Sequence, residues 1–258
     1  MANSINTNRG ALVALQNLNA TNRDLNVTQN RINTGKIVSS AKDNGAIFAI
    51  ATNQRAELSA LDSVKQSIQR GQSVVDVALA AGETIVEALT EMKKLATAIE
   101  AGGSSATTTA LQADFDALQT EIDTALANAN FDGANLFTAT AVSVKIGTGA
   151  ATNDSKSLGG TAITVAPAGA TAAEVQTAID SFTATLATFG TDSKSLERQL
   201  TFVNKVQDAL EVGIGNLVDA DLAKESAKLT ALQTKQQLGV QALSIANQSS
   251  SVLLGLFR

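Results

Sequence analysis

Apolar residues recur at intervals of seven along the stretch from Val175 to Leu217. A second apolar row runs four residues behind the first, so that the two rows occupy the a and d positions of a heptad. A pattern of this length is typical of a helix that packs lengthwise against partner helices, and it predicts one helical rod over residues 171–218. The first row consists of Val175, Phe182, Phe189, Leu196, Val203, Leu210 and Leu217.

Residues 41–100 carry a second seam of the same kind. Ser40 and Asp43 have the spacing of a capping box for this helix, and the glycine pair at 102–103 ends it. Small residues in the seam would let a neighbouring helix approach closely; these are Gly71, Ala78 and Gly82. The two rows are Leu61, Ile68, Val75, Gly82, Leu89 and Ala96, and Val64, Gly71, Ala78, Ile85, Met92 and Ile99.

Both ends of the chain read as amphipathic helices whose polar faces are rich in Asn, Gln and Thr and poor in charge. The first spans residues 5–34 and should stop at Gly35, and the second follows a junction marked by Asp219 and Asp221. Helices with such narrow seams are not stable alone. We expect them to pair with each other or with other subunits, and the alternative is a pair of frayed terminal helices.

The remaining segments predict a shorter helix and a hairpin. Residues 105–128 place Leu111, Phe115, Leu118 and Ile122 on one helical face. Residues 131–170 are rich in Gly, Thr and Ser, and we interpret 142–146 and 163–165 as strands around a loop at 148–160. The sequence thus predicts a mainly α fold: long antiparallel coiled-coil-like rods, paired N- and C-terminal helices and a small β-hairpin region.

The amino-acid composition excludes most kinds of catalytic site and metal site. The chain has no His and no Cys, so a Ser-His-Asp site, a thiolate site and imidazole–metal sites cannot be built. We expect no enzyme, no catalytic residue, no metal and no cofactor. A formal net charge of −5 leaves no basic footprint for nucleic acid. No stretch approaches the ~20 apolar residues of a membrane span, so we expect no membrane insertion.

Several ordered motifs are recognisable along the chain. They are Ser4-Ile5-Asn6-Thr7-Asn8, Gln29 to Gly35, Ser40-Ala41-Lys42-Asp43-Asn44, Phe131-Asp132-Gly133, Asp219-Ala220-Asp221, and Gln241 to Gln248 with Leu256-Phe257-Arg258. Together they resemble the motifs of the bacterial flagellins, the subunits of the flagellar filament. The resemblance covers both ends and, more loosely, the whole chain.

This resemblance implies a layout and a function. Residues 1–40 and 219–258 would form the two halves of the inner filament-core domain. The rod domain would take its N-terminal helices from 41–130, its hairpin from 131–170 and its C-terminal helix from 171–218. With so short a middle segment, this would be a minimal flagellin without the family's large outer domains. It would be exported unfolded and self-assemble outside the cell into the helical filament used for swimming.

The implied partners are copies of the chain itself, hook-associated and cap proteins, the flagellar export apparatus and an export chaperone. Subunit assembly would use the apolar faces of the two ends: Leu15, Leu18, Leu25, Ile32, Leu232, Leu243, Ala246, Leu253, Leu254 and Phe257. Rod packing would use Leu61, Ile68, Val75, Ile85, Leu89, Phe182, Phe189, Leu196, Val203 and Leu210.

Three alternatives stay open at this point. A hook–filament junction protein shares similar terminal helices, although the motif at 40–44 favours a flagellin. A small enzyme or adhesin seated in the hairpin would need a polar pocket, and a lipid-binding bundle would need more Lys and Arg on its polar faces. Separately, O-linked sugars could occupy exposed hydroxyls, with a plain solvated loop as the alternative; the candidates are Thr148, Thr152, Ser155, Ser157 and Thr161.

The resemblance also yields a prediction about innate immunity. The animal flagellin receptor contacts a patch that matches Leu89 to Leu95, including Glu91, together with Asp114. Glu91 stands where recognised members carry a central Arg, and replacing a bidentate cation by an anion is not conservative. We expect weak or absent activation of receptor-reporter cells by purified monomer. A potent response would show that Glu91 is an ordinary exposed residue with no role in evasion. The plant receptor's segment also departs from its usual pattern, at residues 43–47.

Overall fold

The computed structural model describes residues 8–149, 154–160, 162–163, 165 and 169–255, with side chains up to residue 248. It confirms the mainly α fold with helices packed in pairs and one small antiparallel sheet. The chain divides into two compact units, Met1–Arg55 with Leu210–Arg258, and Ala56–Ala209. The elements are helices α1 (Arg9–Thr34), α2 (Gly45–Glu100), α3 (Ser105–Asn128), α4 (Ala172–Val218) and α5 (Leu222–Gly255), and strands β1 (Val142–Lys145) and β2 (Ser155–Leu158).

Within the unit 56–209, α2 and α4 run antiparallel. Lys93 Nζ donates to Gln176 Oε1 at 2.5 Å, and nearer the other end Gln207 Nε2 donates to Asp62 Oδ1 at 2.8 Å. Between these two bridges Gly82 lies against the side chain of Leu186. Residue numbers that increase along α2 therefore lie opposite residue numbers that decrease along α4. The two apolar seams meet along their length in this antiparallel orientation.

The heptad row of α4 is buried over most of its length. Val175, Phe182, Phe189, Leu196 and Val203 are each at most 2% exposed, as are Ile68, Val75, Ile85 and Leu89 on α2, with Leu61 at 7%. Leu210 is only half-buried, and the buried positions that follow are Ile214 and Val218. A straight helix drifts by about 20° per heptad relative to a repeat of 3.5, so a strict sevenfold row eventually rotates out of its seam.

An aromatic cluster fills the region after the shorter helix. The ring of Phe137 stacks on Phe182, with centroids 5.4 Å apart, and lies 5.6 Å from Phe189. Phe115 and Ile122, from the predicted face of α3, are fully buried. The predicted helix over 105–128 is confirmed, and Ser104 caps its start by accepting a hydrogen bond from the Thr107 N–H.

The predicted hairpin exists, but its second strand was placed wrongly. β1 pairs antiparallel with β2, with Val142 opposite Leu158 and Lys145 opposite Ser155, so the partner lies inside the segment predicted as a loop. The N–H of Ile163 instead donates to Phe137 O at 3.4 Å, and residue 164 is outside the described part. The sequence of β2, Ser-Lys-Ser-Leu, does not alternate between apolar and polar residues, so its pattern does not indicate a strand. Its one large apolar residue, Leu158, is fully buried.

The hairpin is held against the helices by steric fit and by polar contacts. Val144 is 2% exposed, and its methyl groups lie where a side chain on Gly71 would begin. The prediction that a helix approaches Gly71 is therefore wrong, since a strand does. Lys145 N donates to Ser67 Oγ at 3.0 Å and Gln199 Nε2 donates to Ile146 O at 2.9 Å.

We expect Gly71→Ala to destabilise the chain. The new Cβ would lie 2.6 Å from one Val144 methyl group and 3.0 Å from the other, and a β-branched side chain has little rotamer freedom to move aside. Overpacking of this kind costs about 1–3 kcal/mol, measurable by urea unfolding. The matched control is Gly190→Ala in α4, where no atom lies within 4 Å; it should stabilise by about 0.5–1 kcal/mol. Equal shifts for both variants would contradict the steric account.

Candidate functional site: the paired terminal helices

Helices α1 and α5 lie antiparallel in the other unit. The Leu18 side chain reaches within 3.3 Å of the position of a Cβ on Gly239, and Gln236 Nε2 donates to Asn22 Oδ1 at 2.8 Å. Asn8 Nδ2 donates to the Ala246 carbonyl at 2.7 Å. The pairing expected between the two ends of the chain is therefore present within a single molecule.

Local sequence explains where these helices begin and end. Asn8 Oδ1 accepts from Ala11 N at 3.0 Å and caps α1, and Gly35 ends it in the left-handed region at φ 67°, as predicted. Asp221 Oδ1 accepts from the N–H groups of Ala223 and Lys224 at 3.0 and 3.1 Å. The carboxylates at 219–221 thus mark a helix start, as expected.

A short backbone bridge joins the end of α1 to the start of α5. Ile37 N donates to Val218 O at 2.7 Å, and Ala220 N donates to Gly35 O at 2.9 Å. These bonds satisfy backbone groups just outside both helices. They hold the first turn of α5 beside the last turns of α1.

An ion pair crosses the two helices next to this bridge. Arg31 Nη1 lies 3.2 Å from Glu225 Oε1, and Glu225 is 7% exposed. Among the residues that the structure describes, Glu225 is the only charged side chain that is buried. Burying a carboxylate is unfavourable unless a cation accompanies it, and Arg31 supplies that cation.

The motif at 39–44 forms a closed turn and a helix cap. Asp43 Oδ2 accepts from the backbone N–H groups of Ser39 and Ser40, both at 2.9 Å, and from their hydroxyls. The capping box predicted for Ser40 and Asp43 does not cap α2. Asn44 Oδ1 does so, accepting from Ala46 N and Ile47 N at 3.1 and 3.2 Å, because α2 begins one residue after it.

The assembly residues expected from the sequence fall into three groups. Leu25 and Leu232 are buried at 8%, and the half-buried ones are Leu18, Ile32, Leu243 and Ala246. Leu15 is 43% exposed. Leu253 and Leu254 have a helical backbone but no described side chain, and Phe257 lies outside the described residues.

Several exposed apolar residues escaped the sequence analysis. They lie between the heptad rows, so counting by sevens passes over them, and a survey of large apolar residues outside the rows would have found them. Their exposed fractions run from 46 to 67%, and they are Leu12, Val13 and Val27 on α1 and Leu238, Val240 and Ile245 on α5.

The other candidate positions lie in the unit 56–209. Leu89 is buried, whereas Glu91 is exposed and pairs with Lys94 at 2.8 Å; Leu95 is half-buried and Asp114 exposed. Among the candidate glycan positions, Thr148 donates to Glu57 Oε1 at 2.6 Å, Ser155 is half-buried and Ser157 exposed, and 152 and 161 are outside the described residues.

Among the described residues, no group of three or more Asp and Glu side chains is arranged to hold a metal ion. No described helix combines the length and hydropathy that spanning a bilayer requires. The class of protein is defined by what α1 and α5 show: a helical protein whose terminal helices pair with each other and expose apolar side chains.

Comparison with known proteins identifies the family. The model of the bacterial flagellin N-terminal helical region matches residues 5–142, and that of the C-terminal helical region matches 172–257. Flagellins FljM and FljK of Caulobacter vibrioides are each 52% identical over 270 aligned residues, covering 99% of both chains. A flagellin of Brucella melitensis is 37% identical, with 99% of each chain covered. The chain belongs to the bacterial flagellin family.

The family membership confirms the predicted function: the protein is a subunit of the extracellular flagellar filament. A solved structure, described as the crystal structure of Bacillus cereus flagellin, aligns over 53% of this chain and 88% of that chain. Its TM-score is 0.47 at 23% identity. A likeness at that level adds nothing to the assignment, which depends on the sequence matches.

We expect the turn at 39–43 to weaken in acid. The backbone N–H groups of Ser40 and Ser39, followed by the Ser39 hydroxyl, hold the pKa of Asp43 below its usual 3.8. A carboxyl whose pKa is lower in the folded state contributes stability above its unfolded pKa and loses it as pH falls through the folded value.

Amide exchange measured on wild type and Asp43→Asn at matched pH tests this. The variant should exchange faster at Ser39 and Ser40 at neutral pH, and the difference should vanish well below pH 3.8. A difference that persists unchanged in strong acid would contradict the assigned cause.

Proposed function

We propose that this flagellin polymerises with copies of itself through its terminal helices. Residues 1–40 and 219–258 form the inner filament core, and 41–130, 131–170 and 171–218 form the rod domain. The observation that carries this proposal is the exposure of large apolar side chains on both paired helices, such as Leu12 at 57% on α1 and Ile245 at 67% on α5. Side chains of this type gain about 25 cal/mol per Å² when they leave water.

The assembly residues divide between two roles. Leu18, Leu25, Ile32, Leu232, Leu243 and Ala246 pair α1 with α5 inside one chain, as their burial supports. Leu15 faces outward and joins the exposed apolar residues in contacts between chains, together with Leu253, Leu254 and Phe257. Contacts between unlike surfaces of identical subunits do not close on themselves, so they generate an open helical polymer.

The mechanical role falls to the unit 56–209. The buried heptad rows of α2 and α4 form a stiff rod that transmits torque along the filament. No step of this function needs catalysis, and without His or Cys the chain lacks the usual nucleophile–base pairs. We therefore propose a structural protein that is not an enzyme, with no nucleic-acid partner and no membrane insertion.

Family membership supports further partners. Hook-associated proteins and the cap would contact the same terminal helices at the two ends of the filament, and the export apparatus with an export chaperone would handle the unfolded chain. A chain without Cys forms no disulfides that could obstruct such export. Its low aromatic content, 3%, is also compatible with export of an unfolded chain. The proposed receptor patch remains Leu89, Glu91, Leu95 and Asp114, of which Glu91 and Asp114 are exposed. The proposed glycan positions remain Thr148, Thr152, Ser155, Ser157 and Thr161, of which Thr148 and Ser157 are exposed among the described residues.

We expect Ile245→Asp to abolish elongation of short filament seeds. An aspartate there would be buried at the subunit interface without a partner, which costs several kcal/mol. Because about 1.4 kcal/mol corresponds to a tenfold change, the elongation rate should fall at least about a hundredfold. Negative-stain electron microscopy of seeded samples provides the measurement.

Two further chains sharpen this experiment. Truncation of Gln248–Arg258 should also prevent elongation, and Thr120→Asp, at an exposed site on α3, should leave the rate near that of wild type. Normal filaments from Ile245→Asp would contradict the proposed role of that face. Wild-type chain that caps seeds after a few subunits would instead indicate a hook–filament junction protein.

A further inference from the structure

The buried ion pair between α1 and α5 has a consequence for how these helices choose their partner. Glu225 is 7% exposed, and its side chain meets Arg31 at 3.2 Å, with the Arg31 side chain itself 28% exposed. It is the single ion pair between α1 and α5 in the part of the chain that the structure describes.

Along the two helices, beyond the backbone bridge at one end, the rest of this interface discriminates poorly between registers. Its described contacts join uncharged groups, such as Leu18 with Gly239 and Asn22 with Gln236, and its buried polar residues are Thr21 and Thr28. A seam of leucines, small residues and amides would fit almost as well after a shift of one helical turn. In helix pairs of this kind, one buried polar or charged contact can set the register.

We infer that the Arg31–Glu225 pair fixes the register of α1 against the α5 of the same chain. A shift of one turn, about 5.4 Å, would leave the Glu225 carboxylate buried beside Val27, Thr28 or Gly35, none of which carries a charge. A shift of two turns would bring it towards Asp24, a like charge. The inference rests on the proposed polymerisation only for its consequence in the filament.

The choice of the chain's own helix follows from the backbone bridge. The bonds from Ile37 to Val218 and from Ala220 to Gly35 bring the first turn of α5 to Arg31 of the same molecule. The Glu225 carboxylate therefore meets this guanidinium at a high effective concentration, before a neighbouring chain can compete. Pairing can then proceed from this end towards the two termini.

A cysteine reporter can test the register directly, because the chain has no cysteine. The Leu18 Cβ lies 3.9 Å from the Cβ position on Gly239, within the range of about 3.5–4.5 Å found in disulfides. The double variant Leu18→Cys/Gly239→Cys reports the observed register, and Leu18→Cys/Leu243→Cys reports a shift of one turn. Non-reducing gels separate cross-links within a chain from those between chains.

Each reporter is combined with Arg31→Glu, with Glu225→Arg or with both, and oxidised as soluble chain and as filaments grown on seeds. Each single change should lower the in-register cross-link yield at least about tenfold, and the charge swap should restore it to within about threefold, a range of roughly 1.4 to 0.7 kcal/mol. Arg23→Glu and Lys224→Glu, exposed charge reversals on the same helices, are matched controls that should leave the yield unchanged.

The outcomes separate the inference from the proposed function. Unchanged yields in the single variants, or a swap no better than either single change, would overturn the register role. Cross-linked dimers as the main product from an equal mixture of Leu18→Cys chains and Gly239→Cys chains, with Arg31 and Glu225 intact in both, would overturn the choice of the chain's own helix. The Leu18→Cys/Gly239→Cys chain with Arg31 and Glu225 intact tests polymerisation separately: cross-linking in register without elongation of seeds would count against polymerisation alone.

Discussion

A narrow apolar stripe on a helix can be buried only along its length, and this constraint governs both units of the protein. α2 and α4 meet it with heptad rows whose members are almost fully buried. α1 and α5 bury one apolar stripe each, and their other apolar residues, such as Leu12 and Val240, remain exposed to water. Antiparallel pairing is the common solution in each unit, because it buries lengthwise seams without any need for a compact globular core.

The difference between the two pairs corresponds to a difference in role. The proposed torque-bearing rod needs a seam that is complete within one subunit, and the buried rows of α2 and α4 are consistent with that role. Helices that take part in a polymer must keep apolar surface for neighbouring subunits, at the cost of stability when alone. The exposed Leu238 and Ile245 are thus consistent with an assembling protein, whereas on a monomeric protein they would be an aggregation liability.

Much of the fold could be predicted because its determinants are local. Helix periodicity, the stop at Gly35 and the start at Asp221 all depend on residues within a few positions of one another, and the structure contains each of them. Much of the candidate site was also predictable: the leucines and isoleucines of the α1–α5 seam recur at seven-residue spacing. Helix caps were less predictable, since Asn44 and not Ser40 caps α2.

The sequence by itself determined the helices, their apolar stripes and the family, since these follow from short-range periodicity and ordered motifs. Only the tertiary structure decided which stretch pairs with β1, because Ser155–Leu158 is selected by backbone bonds and by the burial of one leucine. It also decided that Leu15 faces outward and that Glu225 meets Arg31 across 194 positions. Contacts between residues so far apart depend on how completed helices dock, and no local pattern records that.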